Sequence, residues 1–289
     1  MADNPKNRRG RSNVDDVTLL PLEDERFHPE YKTYFKHKRG NFLKSIAEFA
    51  DLWECLQLLN NIWMREMSDL EVLRDQHQLL PNMLFRAAHA RVLTAIELGF
   101  SCCIGDAFSI LRDGIESTTH AHKVSVEPST ATAWTDKLKG EAEEEAYDRI
   151  FTWNKKVNLF PEQHGLRRLH VFYAQFSEMA THSGVASVGK SFTDLSTPEK
   201  LTWGINYFET DPQKLALFLF TILVVASYME EAFFGCYETR LNLDTDLVAM
   251  RGKFNAMKEQ QRRNLWVKYN LQSLSLPPEL SASSAQGHA

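Results

Sequence analysis

Cysteine is scarce in this chain of 289 residues: Cys55, Cys102, Cys103 and Cys236 are the four, and no two have CxxC spacing. Neighbours such as Cys102 and Cys103 are rarely used for a structural bridge, so the pattern predicts a reduced, cytoplasmic chain. An excess of positive charge is also missing. The formal net charge is −5, with 43% hydrophobic and 25% charged residues, so a nucleic-acid surface has to be local. The N-terminus, MADNPKNRRGRSNVDD, is basic in places but has no apolar stretch resembling a secretory signal. The longest apolar run, LALFLFTILVVASYM at 215–229, is fifteen residues long and bracketed by Lys214 and Glu230. A spanning helix needs roughly 20 apolar residues, whereas a helix buried on all sides of a bundle needs no more than this. No membrane partner is expected.

Other absences narrow the chemistry. There is no phosphate-cradling glycine loop, no GxSxG, no HExxH and no repeat of fixed period. No sustained alternation of apolar and polar residues marks a strand. What remains is helical periodicity. Phe42, Ile46, Phe49, Trp53, Leu56, Asn60, Trp63, Met67 and Leu70 form a heptad seam with one polar member, which predicts a first helix over 42–75, roughly 50 Å long. Pro81 opens a second helix that runs to Gly99. Further helices are expected at 103–123, over DKLKGEAEEEAYDRIFTWNKKV with Ile150 and Trp153 inward, at 165–182, from STPEKL onward, at 212–238 and at 244–270. VSVEPSTATAWT reads as a loop. The fold class is all-α: a single helical bundle of about seven or eight helices over 41–270, with a mobile tail and N-terminal arm at 1–40 and a disordered tail at 271–289. The seam at 42–75 and the helix at 212–238 each suit packing within one chain or a homo-oligomer equally.

One stretch, LRDGIESTTHAHK at 111–123, sets ionisable groups on an apolar helix. Ile104, Phe108, Leu111 and Ile115 share a face; Phe108, Arg112, Glu116 and His120 form a row at its edge, and His122 falls back on the apolar side. Arg112 and Glu116 are therefore spaced to pair along the helix. Residues 165–182, GLRRLHVFYAQFSEMATH, carry a second row: Phe172, Phe176 and Met179 inward, Tyr173 and Ser177 beside them, and Glu178 and His182 on a flank. An Arg-xxx-Glu helix entered by GDAFSIL and followed by a Tyr-xxx-Ser-xxxx-His helix resembles a bacterial family of helical proteins of uncharacterised function. The matching positions are Arg112, Glu116, Tyr173, Ser177 and His182, within residues 82–185. The resemblance implies a helical domain and no particular activity.

Three readings of this constellation compete. In the first, Arg112, Glu116, His120, Tyr173, Ser177 and His182 form a polar lock or a ligand-binding cluster between two helices. In the second, Glu116 with His120 and Glu178 with His182 hold a metal, helped by Glu97, Glu230 or Glu231; helical di-iron sites use Glu-xx-His instead, so the spacing departs from that pattern. In the third, Arg112 and His182 act as a metal-independent ribonuclease. HEPN-like helical nucleases are similar in size and helical content, but their arginine and histidine lie four to six residues apart on one helix, and no arginine here has that partner. Cys102 and Cys103 are a weaker thiol candidate. The helix at 251–268 holds six basic residues against one acid, with Phe254, Met257, Leu265 and Tyr269 inward and Arg251, Lys258, Arg262 and Arg263 outside; it reads first as a solvated face and second as a nucleic-acid surface. The leading expectation is a helical binding or regulatory protein of bacterial origin, in a stress or defence setting, with no cofactor. The ribonuclease comes second and the carboxylate–histidine metalloprotein third.

Overall fold

Aspartates and prolines set where helices begin. Asp211 precedes Pro212 and accepts from the Gln213 and Lys214 amides, and Asp244 accepts from the Leu247 amide. Each satisfies amides that have no partner inside the first turn. The computed structural model describes residues 28–70, 78–180, 192–194, 196–198 and 200–271. Among them ten α-helices follow in order: α1 (Pro29–Glu48), α2 (Ala50–Asp69), α3 (Leu79–Phe100), α4 (Ile104–Val126), α5 (Thr130–Asp136), α6 (Glu141–Tyr147), α7 (Lys155–Asn158), α8 (Leu166–Ala180), α9 (Pro212–Tyr237) and α10 (Thr245–Lys268). The all-α class is as expected. One small antiparallel hairpin, β1 (Phe192–Asp194) with β2 (Trp203–Ile205), is added to it.

The apolar run forms the axis of the bundle. By length and composition α9 and the turn after it could cross a membrane, yet 89% of that apolar window is buried within the fold. Helices α2, α3, α4, α8 and α10 surround it. Gly99 lets α3 approach closely: a Cβ there would stand 2.6 Å from Ile222 Cδ1. The heptad seam faces inward too, with Phe49, Leu56, Trp63, Met67 and Leu70 buried. Its polar member, Asn60, meets His89 Nε2 at 2.9 Å.

Several expectations change. The first helix is not one straight rod over 42–75. Phe49 leaves helical geometry at φ −112° and ψ 38° and divides it into α1 and α2, while 71–75 lies outside the described residues. The bend keeps Phe49 buried, stacked on Tyr269 at 5.6 Å, and lets α1 pack on α3. Residues 29–40 of the expected N-terminal arm belong to α1, while 1–27 lie outside the described residues, as does the tail from 272. Among the described residues STPEKL starts no helix. Ser196 Oγ accepts from the Thr202 amide at 3.0 Å and Thr197 bridges Lys200, closing the hairpin; a Ser/Thr-Pro pair favours turns as readily as helix starts. The helix expected across 136–157 breaks into α6, a π-turn at Asp148–Thr152 and α7. Phe151 is buried there and Trp153 exposed. Much of the stretch read as a loop is helical instead: its first three residues end α4 and its last six lie in α5.

Candidate functional site

Two i, i+4 rows face each other across the α4–α8 contact, and α7 delivers a third group. Arg112 and Glu116 lie on α4, Tyr173 and Ser177 on α8. Asn154 takes the left-handed conformation, φ 51°, immediately before α7, and Lys155 follows as its first residue. The Arg112 fork divides between α8 partners: Nε donates to Ser177 Oγ at 2.9 Å and Nη2 to the Tyr173 hydroxyl at 3.2 Å. Its guanidinium also lies 5.1 Å from the Tyr173 ring centroid. Ser177 in turn donates to the Tyr173 carbonyl at 2.8 Å. Lys155 Nζ donates to Glu116 Oε1 at 2.9 Å and to the same Tyr173 hydroxyl at 3.0 Å.

The expected Arg112–Glu116 pair therefore does not form: among the described residues Lys155 is the cation on Glu116. Arg112 instead reaches Asp113 Oδ1 at 3.5 Å, besides its hydroxyl partners. The physical reason is geometric. A guanidinium leaning toward α8 finds two hydroxyls in reach, while α7 brings an ammonium directly to the carboxylate. Burial by itself would raise the Glu116 carboxyl, but the Lys155 hydrogen bond and charge, aided by His120 and Arg112, outweigh it and hold Glu116 below its usual value. Burial opposes the Lys155 charge as well; its bonds to Glu116 and Tyr173 and the Glu116 charge hold Lys155 above its usual value.

His120 lies one turn beyond, 4.0 Å from Glu116 Oε1 through Nε2. Trp134 Nε1 donates to its Nδ1 at 3.4 Å, and the Phe151 ring stands edge-on at 4.8 Å. Burial lowers this imidazole to about 4, against the pull of Glu116. The ring is neutral at pH 7. His122 is lowered to about 4 by burial, with His164 adding to the effect. That pair is held by close packing: the His164 ring occupies the space where a side chain at Gly235 would go.

Of the remaining candidates, Glu178 is exposed on α8, and so is Met179, which the spacing had turned inward. His182 lies outside the described residues. Among the described residues no three His, Cys, Asp or Glu side chains are grouped to hold a metal. Cys102 and Cys103 are buried, and burial raises both thiols.

A second charged cluster escaped the sequence reading. Arg251, expected outside, binds Glu66 of α2 and Glu230 of α9 through the same nitrogen, Nη1, and lies 3.9 Å from the Phe234 ring centroid. One cation serves two buried carboxyls. Burial first, then the Glu230 charge, push Glu66 up to about 9 despite Arg251. Burial raises Glu230 too, so the pair retains a proton at pH 7. Among the described residues Glu66 Oε2 is buried with no hydrogen-bond partner, which a neutral acid tolerates better than a carboxylate. Lys258, also expected outside, has its Nζ 3.4 Å from Ser227 Oγ, and burial lowers it against Glu231, Glu230 and Cys55. The available signal was Glu66 amid Trp63 and Met67, and Glu230 closing the apolar run: acids in apolar helices need a cation from elsewhere.

Comparison with known proteins gave no matching family model, no matching curated protein and no matching solved structure.

Proposed function

We propose that the chain is a non-catalytic helical binding protein whose α4–α7–α8 face receives a ligand bearing an acidic or hydrogen-bond-accepting group. One observation carries this reading: each group that shifts here is held in a single charge state near pH 7. Glu116 is held down by Lys155, Lys155 is held up by Glu116 and Tyr173, and His120 is neutral by burial. A general acid or base works best with a pKa near the working pH, and none of these three meets that condition. The cations remain accessible: the side chains of Arg112 and Lys155 are 24% and 25% exposed. A guanidinium has five N–H donors, so Arg112 keeps donors for an incoming acceptor beyond its bonds to Ser177 and Tyr173.

Purified protein is incubated with total RNA, with and without chelator, and in parallel melted against a panel of small phosphorylated and carboxylated compounds. The expected result is intact RNA in both tubes and a ligand that raises the melting temperature of the wild type but not of Arg112→Met. Chelator-resistant RNA cleavage that is lost in Arg112→Met and in His182→Ala would overturn this reading in favour of the metal-independent ribonuclease. Cleavage or bound metal lost on chelation would favour the metalloprotein.

A further inference from the structure

Helix α1 has twenty residues, and Ser45 alone among them is buried. Most of its surface faces solvent, and that surface is basic in a chain of net charge −5. Five of its residues are Lys or Arg and two are Glu. Lys38 is committed to Glu97 at 2.9 Å. Among the described residues, Lys32, Lys36, Arg39 and Lys44 take part in no ion pair or side-chain hydrogen bond.

Aromatic side chains are interleaved with these cations. Tyr31, Phe35, Arg39 and Leu43 form an i, i+4 row, in which Tyr31 is 63%, Phe35 44% and Leu43 56% exposed. Lys32 and Lys36 run beside it, one residue further on. From Tyr31 to Arg39 the helix rises about 12 Å, the span of a short run of single-stranded nucleotides. Tyr34, on the inward side of the row, is itself braced by Phe208, stacked at 5.4 Å, and by the edge of Phe35 at 5.5 Å.

We propose that this face of α1 is a docking surface for single-stranded nucleic acid, with phosphates on Lys32, Lys36 and Arg39 and bases stacked on Tyr31 and Phe35. Charge complementarity is the first reason: cations on one face, with no ion-pair partner among the described residues, exchange their counterions for phosphates. The exposed rings are the second, because every base offers a π-face and stacking is tolerant of sequence. An anionic membrane fits less well. A helix that lies in a lipid surface separates an apolar side from a charged one, whereas Arg39 stands inside the aromatic row and Lys32 and Lys36 border it. The surface lies on other residues than those of the α4–α7–α8 face, and the proposal does not depend on what that face binds.

Fluorescence anisotropy with a labelled oligouridine and an oligo-dT, each about twelve nucleotides, tests it on the full chain. Binding is expected at about 50 mM salt and should weaken roughly tenfold to twentyfold by about 200 mM, as neutralising about three phosphates requires. Lys32→Ala/Lys36→Ala/Arg39→Ala should lose at least tenfold at low salt and most of the salt dependence. Tyr31→Ala/Phe35→Ala should lose about tenfold with its salt dependence intact, because stacking releases no counterions. Lys44→Ala, about 7.5 Å beyond Arg39 along the axis and so outside the span from Tyr31 to Arg39, should stay within about twofold of wild type. No binding at low salt, or binding unchanged in both multiple variants, overturns the proposal. So does capture of the protein by phosphatidylserine–phosphatidylcholine vesicles, lost with the same substitutions, when neither oligonucleotide binds.

Discussion

Arg112 and Arg251 are equally exposed, at 24% and 25% of their side chains, and both tie helices together, yet they stand in opposite situations. Arg112 bonds to two neutral hydroxyls, Ser177 and Tyr173, and to the carboxylate of Asp113, whose side chain is 51% exposed. Arg251 bonds to Glu66 and Glu230, whose side chains are 0% and 6% exposed. The importance of such a cation is set by what its removal strands. A hydroxyl at a half-open surface can turn to water; a carboxyl in the core has nowhere to turn.

The largest effect expected is therefore at Arg251. Arg251→Met should destabilise the fold by about 3–5 kcal/mol, the usual cost of stripping one partner from a buried ion pair, measured by urea unfolding. Adding Glu230→Gln should recover a large part of that loss, since an amide needs no counter-charge. A single-variant loss below about 1 kcal/mol would erase the contrast with Arg112.

The proton held by the same cluster sets the next test. The folded value of Glu66, about 9, lies above its ordinary 4.5, so the folded state binds a proton that the unfolded state has released. That contribution is complete below about 4.5 and is lost as pH rises through about 9. His120 and His122 act in the opposite sense. Their folded values of about 4 lie below 6.5, so their contribution is present above 6.5 and lost as pH falls toward 4. Melting temperature should fall on both sides of neutrality. Glu66→Gln should flatten the alkaline limb and leave the acid limb; an unchanged alkaline limb would place the proton elsewhere.

Smaller effects belong to the half-open cluster. Lys155→Met leaves Glu116 without its cation, but that carboxylate is 28% exposed and retains some water. A loss of about 1–2 kcal/mol is expected, with the Glu116 carboxyl moving back up in a pH titration followed by NMR. Arg112→Met comes last, at about 1 kcal/mol. If Arg112→Met proved as damaging as Arg251→Met, partner burial would not be the deciding variable.

Much of the architecture was legible in local pattern. The seam from Phe42 to Leu70 does face the core, beginning on α1 and continuing along α2, and its break at Phe49 was not foreseeable, because bent and straight helices bury the same residues. The apolar run at 215–229 does form the bundle axis. At the site, Arg112, Tyr173 and Ser177 do meet, as their rows on two helices implied. Lys155 was missed because it sits on a four-residue helix with no periodicity to read. Arg251 was misplaced because its position on the helical wheel put it outside the apolar stripe, while a long side chain can reach over to acids that the stripe conceals.

The amino-acid sequence by itself determined the long helices and, for most of their positions, which side is apolar, since a backbone hydrogen bond spans four residues and burial follows a period of 3.6; the short elements between them, such as Thr130–Asp136 and Lys155–Asn158, carry too few residues for a period to show. Only the tertiary structure decided which charge answers which. Lys155 lies 39 residues from Glu116, Ser177 lies 65 from Arg112 and Arg251 lies 185 from Glu66. Helix packing, driven by apolar area, brings these segments alongside one another without regard to sequence separation, and the ionisable groups then pair with whatever that packing places in reach.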